Sequence, residues 1–426
     1  MKLMRTAINK IKMLLGVAAA LSVFASCNKQ FEDIGPDINP SFTNTGATLN
    51  DVINNDTTYS FFKAVYSKAS TGAPTASLSN PALRFTAFLP NNTAFRASGI
   101  TSATNAAGLF PNAAAAAAFV NYLITPQQLR YDSIPSTFPN LIAPTLLNPT
   151  AGTSGFNPLV SLSIFPSKRG TVSFVNNVPL SNVSASASNA IILNPAGLVT
   201  PPQATLWSRI STDADMTYFK AAVQRGDSGS VGTARFDSLL NLAVGPNFTV
   251  LVPTNAAFQT FLTGSITQAL VARGLPATSA QAAASALVST YGTTILTNPA
   301  SIPDAPIFPS GTGIGVALAT AFSPTNVKGL VVYHMFGAGA FTVNFPPTPT
   351  NVPTLLNTVV PSHPGVKLGA TFNASGTAVT AATVQGVGNA APASVLINPT
   401  PNPNGTSDQF FTNGVLHKIS QVLLPQ

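Results

Sequence analysis

Residue types able to carry chemistry are few in this chain of 426 residues. The three histidines are His334, His363 and His417, and no pair has the His-Glu-x-x-His spacing that aims two metal ligands from one helix face. Cys27 is the one cysteine, so an intrachain disulfide and a thiolate metal site are both excluded. Carboxylates fall close together only as Glu32/Asp33 and Asp213/Asp215. The first pair lies in the stretch 28–43, which has few large apolar groups and reads as a tether. The second sits at a helix start, where Asp213 matches Asp56 in an earlier copy of the same pattern, so a capping role is expected. No Gly-x-Ser-x-Gly elbow occurs, although a Ser-His-Asp set assembles in space and spacing alone leaves it open. Gly311-Thr312-Gly313-Ile314-Gly315 lacks the strand-turn-helix setting of a phosphate loop and reads as flexible loop. His334 and His417 adjoin apolar runs and read as buried, hydrogen-bonded histidines rather than ligand contacts. Trp207 reads as core or interdomain packing. The expectation is therefore no catalytic residue, no metal and no cofactor.

Charged residues make up only 8% of the chain, against roughly 25% in ordinary domains. The polar surface must then be built from Ser, Thr, Asn and Gln. The net charge of +8 is concentrated at the start. Removing Lys2, Arg5, Lys10 and Lys12 leaves 16 cations against 12 acids, or +4. The remaining cations are scattered, with Lys168-Arg169 the one adjacent pair, so no nucleic-acid footprint is expected.

Residues 1–26 have a basic start, an apolar run from Met13 to Ala25, and small residues before Cys27. That is the pattern of a secretory signal, and the apolar run is short of the roughly 20 residues a bilayer span needs. Phe24-Ala25-Ser26-Cys27 is similar to a relaxed lipobox of the kind seen in Bacteroidetes. The resemblance implies cleavage before Cys27 and acylation of it, giving an outer membrane lipoprotein facing the exterior or the periplasm. Several acyl chains at about 0.8 kcal/mol per buried CH₂ anchor durably. Residues 27–44 read as a tether.

The elements that would position any site come in two copies. Phe85-Thr86-Ala87-Phe88-Leu89-Pro90-Asn91-Asn92-Thr93-Ala94-Phe95 recurs as Phe248-Thr249-Val250-Leu251-Val252-Pro253-Thr254-Asn255-Ala256-Ala257-Phe258. Each reads as a buried strand stopped by proline, then a polar cap opening a helix. Upstream, Thr48-Leu49, Ile53, Asp56 and Phe61-Phe62-Lys63-Ala64 match Thr205-Leu206, Ile210, Asp213 and Tyr218-Phe219-Lys220-Ala221 at a constant shift of 157 residues (48 to 205). Downstream, Pro144–Asn148 matches Pro353–Asn357, and Asn189–Leu193 matches Asn413–His417. The shifts grow from 157 to 224 (189 to 413), so the second copy carries an insertion, placed at about 264–325. Within it, Ile266 to Arg273 and Thr278 to Tyr291 read as helical and Pro299 to Gly315 as loop. In the first copy, Ala113 to Tyr122 reads as helix, and Lys168-Arg169-Gly170 as the turn of a hairpin.

Together these landmarks resemble the fasciclin domain family, in tandem, over roughly residues 45–426. The family's Tyr-His motif matches Tyr333-His334, and its closing pattern matches Asn413-Gly414-Val415-Leu416-His417. The first copy departs from both: Leu123 follows Tyr122, Ala190 follows Asn189, and Asn194 is read in place of the last histidine. The resemblance implies an α+β fold of two consecutive domains, residues 45–203 and 204–426. Each would be a β-wedge or sandwich with helices packed on one side. It implies a non-catalytic role in adhesion or extracellular-matrix contact, with Tyr333 and His334 as candidate partner-binding residues. The implied partners are the membrane, through the lipid, and a surface or matrix protein or polysaccharide. A carbohydrate-binding lipoprotein serving glycan capture is the alternative.

Overall fold

The computed structural model describes residues 46–151, 155, 157–303, 313–398 and 405–426. The leader, the tether, Cys27 and the Gly311-Thr312 part of the glycine-rich stretch lie outside the described residues. Residues Asn44–Gln426 form one compact α+β unit.

Two sheets repeat one topology. The first contains β1 (Phe85–Phe88), β2 (Ile124–Thr125), β3 (Pro166–Arg169), β4 (Val172–Val175), β5 (Val178–Ala187) and β6 (Ala190–Pro195) in the order β2-β1-β6-β5-β4-β3. The second contains β7 (Phe248–Pro253), β8 (Met335–Phe336), β9 (Thr350–Val352), β10 (Val366–Phe372), β11 (Val379–Gln385), β12 (Ala393–Val395), β13 (Gln409–Phe411) and β14 (Gly414–Ile419). Its order is β8-β7-β14-β12-β11-β10-β9, with β13 also on β14. At each centre the proline-stopped strand pairs in parallel with the closing strand: Phe85 opposite Ala190 in one, Phe248 opposite Gly414 in the other. The duplication inferred from sequence is thus carried by register as well as by residue type.

Central parallel strands are covered on both faces, which explains their unbroken apolar runs. Val250 and Val252 join the helical core, while Leu251 faces a second cluster inside the curl of the sheet with Val366, Leu368 and Val384. The polar residues in these runs have assigned jobs. Thr86 Oγ donates to Gln127 O and accepts from Leu129 N, both at 2.7 Å. Thr249 does the same with Ala338 O at 2.5 Å and Ala340 N at 2.9 Å. Asn91 and Thr254 cap the following helices, at 2.9 Å from Ala94 N and 3.2 Å from Ala257 N. The next residue, Asn92 or Asn255, reaches back to the helix that opens each copy: its side-chain oxygen accepts from Phe61 N at 3.0 Å, or from Tyr218 N at 3.2 Å. Asp56 caps the short helix Thr57–Tyr59, accepting from Thr58 N at 2.8 Å. Asp213 instead follows the end of the helix Leu206–Thr212 and closes a turn by accepting from Asp215 N at 2.8 Å. The helix Thr217–Gly226 therefore opens at Met216 without a side-chain cap.

Several local expectations need correction. Lys168 and Arg169 lie in β3, opposite Ser173 and Val172, so the hairpin turns at Gly170-Thr171. Where it is described, the insertion is mostly helical and packed rather than loop. It extends the helix Asn255–Val271, adds Ala277–Tyr291 antiparallel to it by a short link, and buries Ile266, Leu270, Ala284, Leu287, Ile295 and Leu318 in the core. The glycine-rich stretch packs rather than flexes where it is described. Gly315 lies against the carbonyls of Pro299 and Ile302, which would meet an added Cβ at 3.1 and 2.6 Å.

The two copies are joined through a shared seam. Phe165 and Phe174 of the first copy cluster with Phe341, Val343 and Val415 of the second. The Phe165 and Phe410 rings meet edge-on at 5.6 Å between centroids, a favoured aromatic geometry. A polar chain crosses beside them. Asn140 Nδ2 donates to Asn344 Oδ1 at 2.5 Å, and Asn344 Nδ2 donates to Ser167 Oγ at 2.5 Å. Asn344 Oδ1 also accepts from Phe341 N at 2.8 Å. Asn344→Ala would strand these buried partners at a cost of about 2–3 kcal/mol. Calorimetry on this variant is expected to show a lower Tm and a transition broadened or split between the copies, against a single cooperative transition in the parent.

Candidate functional site

The helix Pro324–Tyr333 ends at the Tyr-His pair, and β8 follows immediately. Its proline at the first turn and the Ser323 cap, whose hydroxyl accepts from Asn326 N at 3.4 Å, set where the helix starts. Ten residues later the chain must turn into the sheet, and this places Tyr333 and His334 under it.

Neither side chain reaches solvent: Tyr333 is 0% and His334 1% exposed. The Tyr333 hydroxyl donates to Gly365 O at 2.7 Å and accepts from Val387 N at 3.0 Å. Burial raises its pKa. His334 Nδ1 stands 2.8 Å from Leu330 O and must donate there, and Nε2 accepts from Leu423 N at 2.9 Å. These partners fix the neutral Nδ1–H tautomer. Burial pushes its pKa down to about 4. As candidate partner-binding residues, the pair cannot touch a partner directly while the fold is closed; they act on the backbone around them.

The other histidines are spent the same way. His363 Nε2 donates to Pro425 O at 2.8 Å, Nδ1 accepts from Gly365 N at 3.0 Å, and the ring stands edge-on to Tyr333 at 5.1 Å. His417 Nε2 donates to Ala340 O at 2.9 Å and Nδ1 accepts from Asp408 N at 3.1 Å. Burial lowers its pKa, opposed by nearby Asp408. Asn389, which sequence reasoning did not single out, completes the arrangement: its Nδ2 donates to Val422 O at 2.9 Å and its Oδ1 accepts from Leu424 N at 2.8 Å. His334, His363 and Asn389 therefore strap the segment Val422–Pro425 onto the second sheet. Nothing in the spacing of these three residues signals this, because they meet only through the sheet's curl.

The first copy keeps Tyr122, whose hydroxyl donates to Ser163 O at 3.2 Å and accepts from Asn176 Nδ2 at 3.1 Å. Buried Leu123 stands where His334 does. Asn194 is not the counterpart of His417. Leu251 pairs with His417 and Phe88 with Leu193, so Leu193 is, and Asn194 matches Lys418. One step along a strand turns a side chain to the opposite face. On that face Lys418 Nζ joins Asp213 at 3.0 Å and Asp215 at 3.2 Å, while Arg209 holds Asp213 at 2.8 Å. Asn189 and Asn413 are true equivalents. Each accepts from the first amide of its copy's opening helix, Leu49 N at 2.8 Å or Leu206 N at 3.0 Å. The glycine after Asn413 is required by closeness, since a Cβ on Gly414 would lie 2.1 Å from Phe248 O.

Among the described residues, no group of three or more His, Cys, Asp or Glu side chains is placed to hold a metal ion. No described helix is long and apolar enough to cross a membrane.

No protein-family model matches the chain, and no curated protein does. Among solved structures it is similar to a FAS1 domain pair from the insect cell adhesion molecule Fasciclin I. Identity is 15%, the match covers 85% of this chain and 95% of that one, and the TM-score is 0.30.

The histidine strap makes stability pH-dependent. A histidine with an unfolded pKa near 6.5 and a folded pKa of about 4 binds its proton first in the unfolded chain. Its stabilising contribution is complete above pH 6.5 and is lost as the pH falls to about 4, a change of about 3 kcal/mol. Urea denaturation at pH 7 and pH 4.5 is expected to show a shallower loss for His334→Gln than for the parent. Equal slopes would mean that His334 does not titrate with folding.

Proposed function

We propose that the chain is a non-catalytic, surface-anchored adhesion or extracellular-matrix interaction protein. Cleavage before Cys27 and acylation of that residue hold it to an outer membrane, with the fasciclin-like repeats toward the cell exterior. The observation carrying this reading is how the ionisable side chains are spent. All three histidines place both ring nitrogens on backbone groups. Asp51, Asp56, Asp213 and Asp227 are held by backbone amides of caps and turns, and Asp237 is held by Arg235. A general acid–base pair needs side chains free to exchange protons with a substrate. Those groups hold backbone instead, which suits a scaffold presenting surface. The paired sequence landmarks supply the adhesive class.

A second reading, glycan capture, is favoured by a row of polar side chains across the second sheet, exposed Asn351 and Lys367 and half-buried Gln385. The two readings share the anchor.

Cells expressing the full chain and fed an alkyne fatty acid are expected to label it, and Cys27→Ala is expected to abolish the label and release the protein from the membrane fraction. Persistent labelling of Cys27→Ala would remove the anchor from this reading. The full chain in detergent is expected to retain a surface or matrix protein or polysaccharide from its own cells' envelope.

A further inference from the structure

Beside Tyr333 the second sheet carries an open cleft of about 250 Å³, lined in part by Asn351, Pro364, Gly365, Lys367, Gln385 and Val387. We propose that this cleft binds a carboxylate-bearing sugar, such as a uronic acid unit of a polysaccharide, with Lys367 as the anion contact. The inference rests on the glycan reading and gives it a site and a ligand class.

Register brings the polar groups together. Asn351 of β9 is opposite Lys367 of β10, and Lys367 is opposite Gln385 of β11. Directly opposed residues share a face with Cβ atoms about 5 Å apart, so carboxamide, ammonium and carboxamide stand in one line across three strands. Their neighbours Val352, Val366, Leu368 and Val384 are buried in the core on the other face. Lys367 and Asn351 have no side-chain partner among the described residues, which is notable where so many other charged groups are engaged. Gln385 Nε2 donates to Asn389 O at 2.9 Å, leaving its oxygen as an acceptor.

The remaining wall is apolar and fixed. Val387 is 54% exposed and Pro364 is also exposed, giving a surface for the C–H face of a pyranose. Tyr333 ties Gly365 to Val387 through its hydroxyl, and His363 holds Gly365 N, so the cleft's backbone is held from beneath by the buried residues of the Tyr-His region. Tyr333 is thereby a positioning residue. The cleft is smaller than the roughly 300–1,000 Å³ of sites for drug-sized ligands, and suits one sugar unit of a chain. A lysine between two amides meets a carboxylate and the adjoining hydroxyls together. An acidic peptide would use the lysine but leave the amides and the apolar wall underused.

The test is calorimetric titration of the full chain with trigalacturonic acid, its neutral methyl ester, and hexaglutamate as the peptide probe. The expected result is binding of the acid alone, weakened by added salt, and lost by about tenfold or more in Lys367→Met. Lys367→Arg should keep most of it, and Val387→Asp, from the opposite wall, should abolish it. Circular dichroism confirms that each exposed-site variant is folded. Acid binding unchanged in Lys367→Met and Val387→Asp would overturn the site while leaving glycan capture standing. Equal binding of the methyl ester would overturn the charge class, and preference for hexaglutamate would overturn the sugar. No binding of any saccharide would overturn both the site and the glycan reading, leaving adhesion to protein untouched.

Discussion

The parallel pairing at the centre of each sheet is the constraint on which the rest depends. Parallel strands cannot be joined by a tight turn; they need a crossover connection. Here the crossover from Phe88 to Ala190, and again from Pro253 to Gly414, holds nearly everything else in the copy. Both faces of the pair are covered as a result, one by helices and one by the curled remainder of the sheet. Four polar anchors then become obligatory. Thr86 and Thr249 fix the departure of the neighbouring edge strand, and Asn189 and Asn413 fix the opening helix to the closing strand. Each sits where a buried backbone donor or acceptor would otherwise be unmatched, which is expensive in a dry interior.

That constraint also explains which features were legible in sequence. The strand-proline-cap stretch had to stay apolar, had to stop and had to cap, so its two copies remain visibly alike. The helix Ser60–Ala69 was legible from its apolar spacing, and Ala113–Tyr122 from its run of alanines, the strongest helix formers. The hairpin turn was read too early because Lys168 and Arg169 look like turn residues yet pair with Ser173 and Val172 in an edge strand, both half-buried. The histidine counterpart was misplaced by one although the shift of 224 residues already sets Leu193 against His417 (193 to 417). The pairing of Leu193 with Phe88 and of His417 with Leu251 agrees with that shift.

The seam and the strap were not legible at all. Asn140, Ser167 and Asn344 are separated by up to 204 positions and look like ordinary surface polar residues. Their burial follows from the Phe165–Ser167 end of the first sheet meeting the Phe341–Asn344 turn of the second copy, which no local pattern encodes. Residues 44–426 behave as one compact unit because the aromatic cluster around Phe165, Phe341 and Phe410 is shared by both copies. The short connector Pro201-Pro202-Gln203 agrees with that closeness but could not by itself have specified it.

The divergence between copies bears on what the Tyr-His pair is for. Where the second copy has His334 and His417, the first has Leu123 and Leu193, all of them buried. Replacing a leucine by a buried histidine is unfavourable unless both ring nitrogens find partners and the proton is kept off. In the second copy those partners are Leu330 and the closing segment at Leu423 for His334, and Ala340 and Asp408, on two separate loops, for His417. The tyrosine, by contrast, is common to both copies and in both accepts one hydrogen bond and donates another. Tyrosine is therefore part of the shared frame, and histidine is the addition that binds the second copy's own closing segment. Any influence of the pair on a partner must pass through the backbone they hold, in particular the stretch from His363 to Gly365 and Val387, rather than through their own buried atoms.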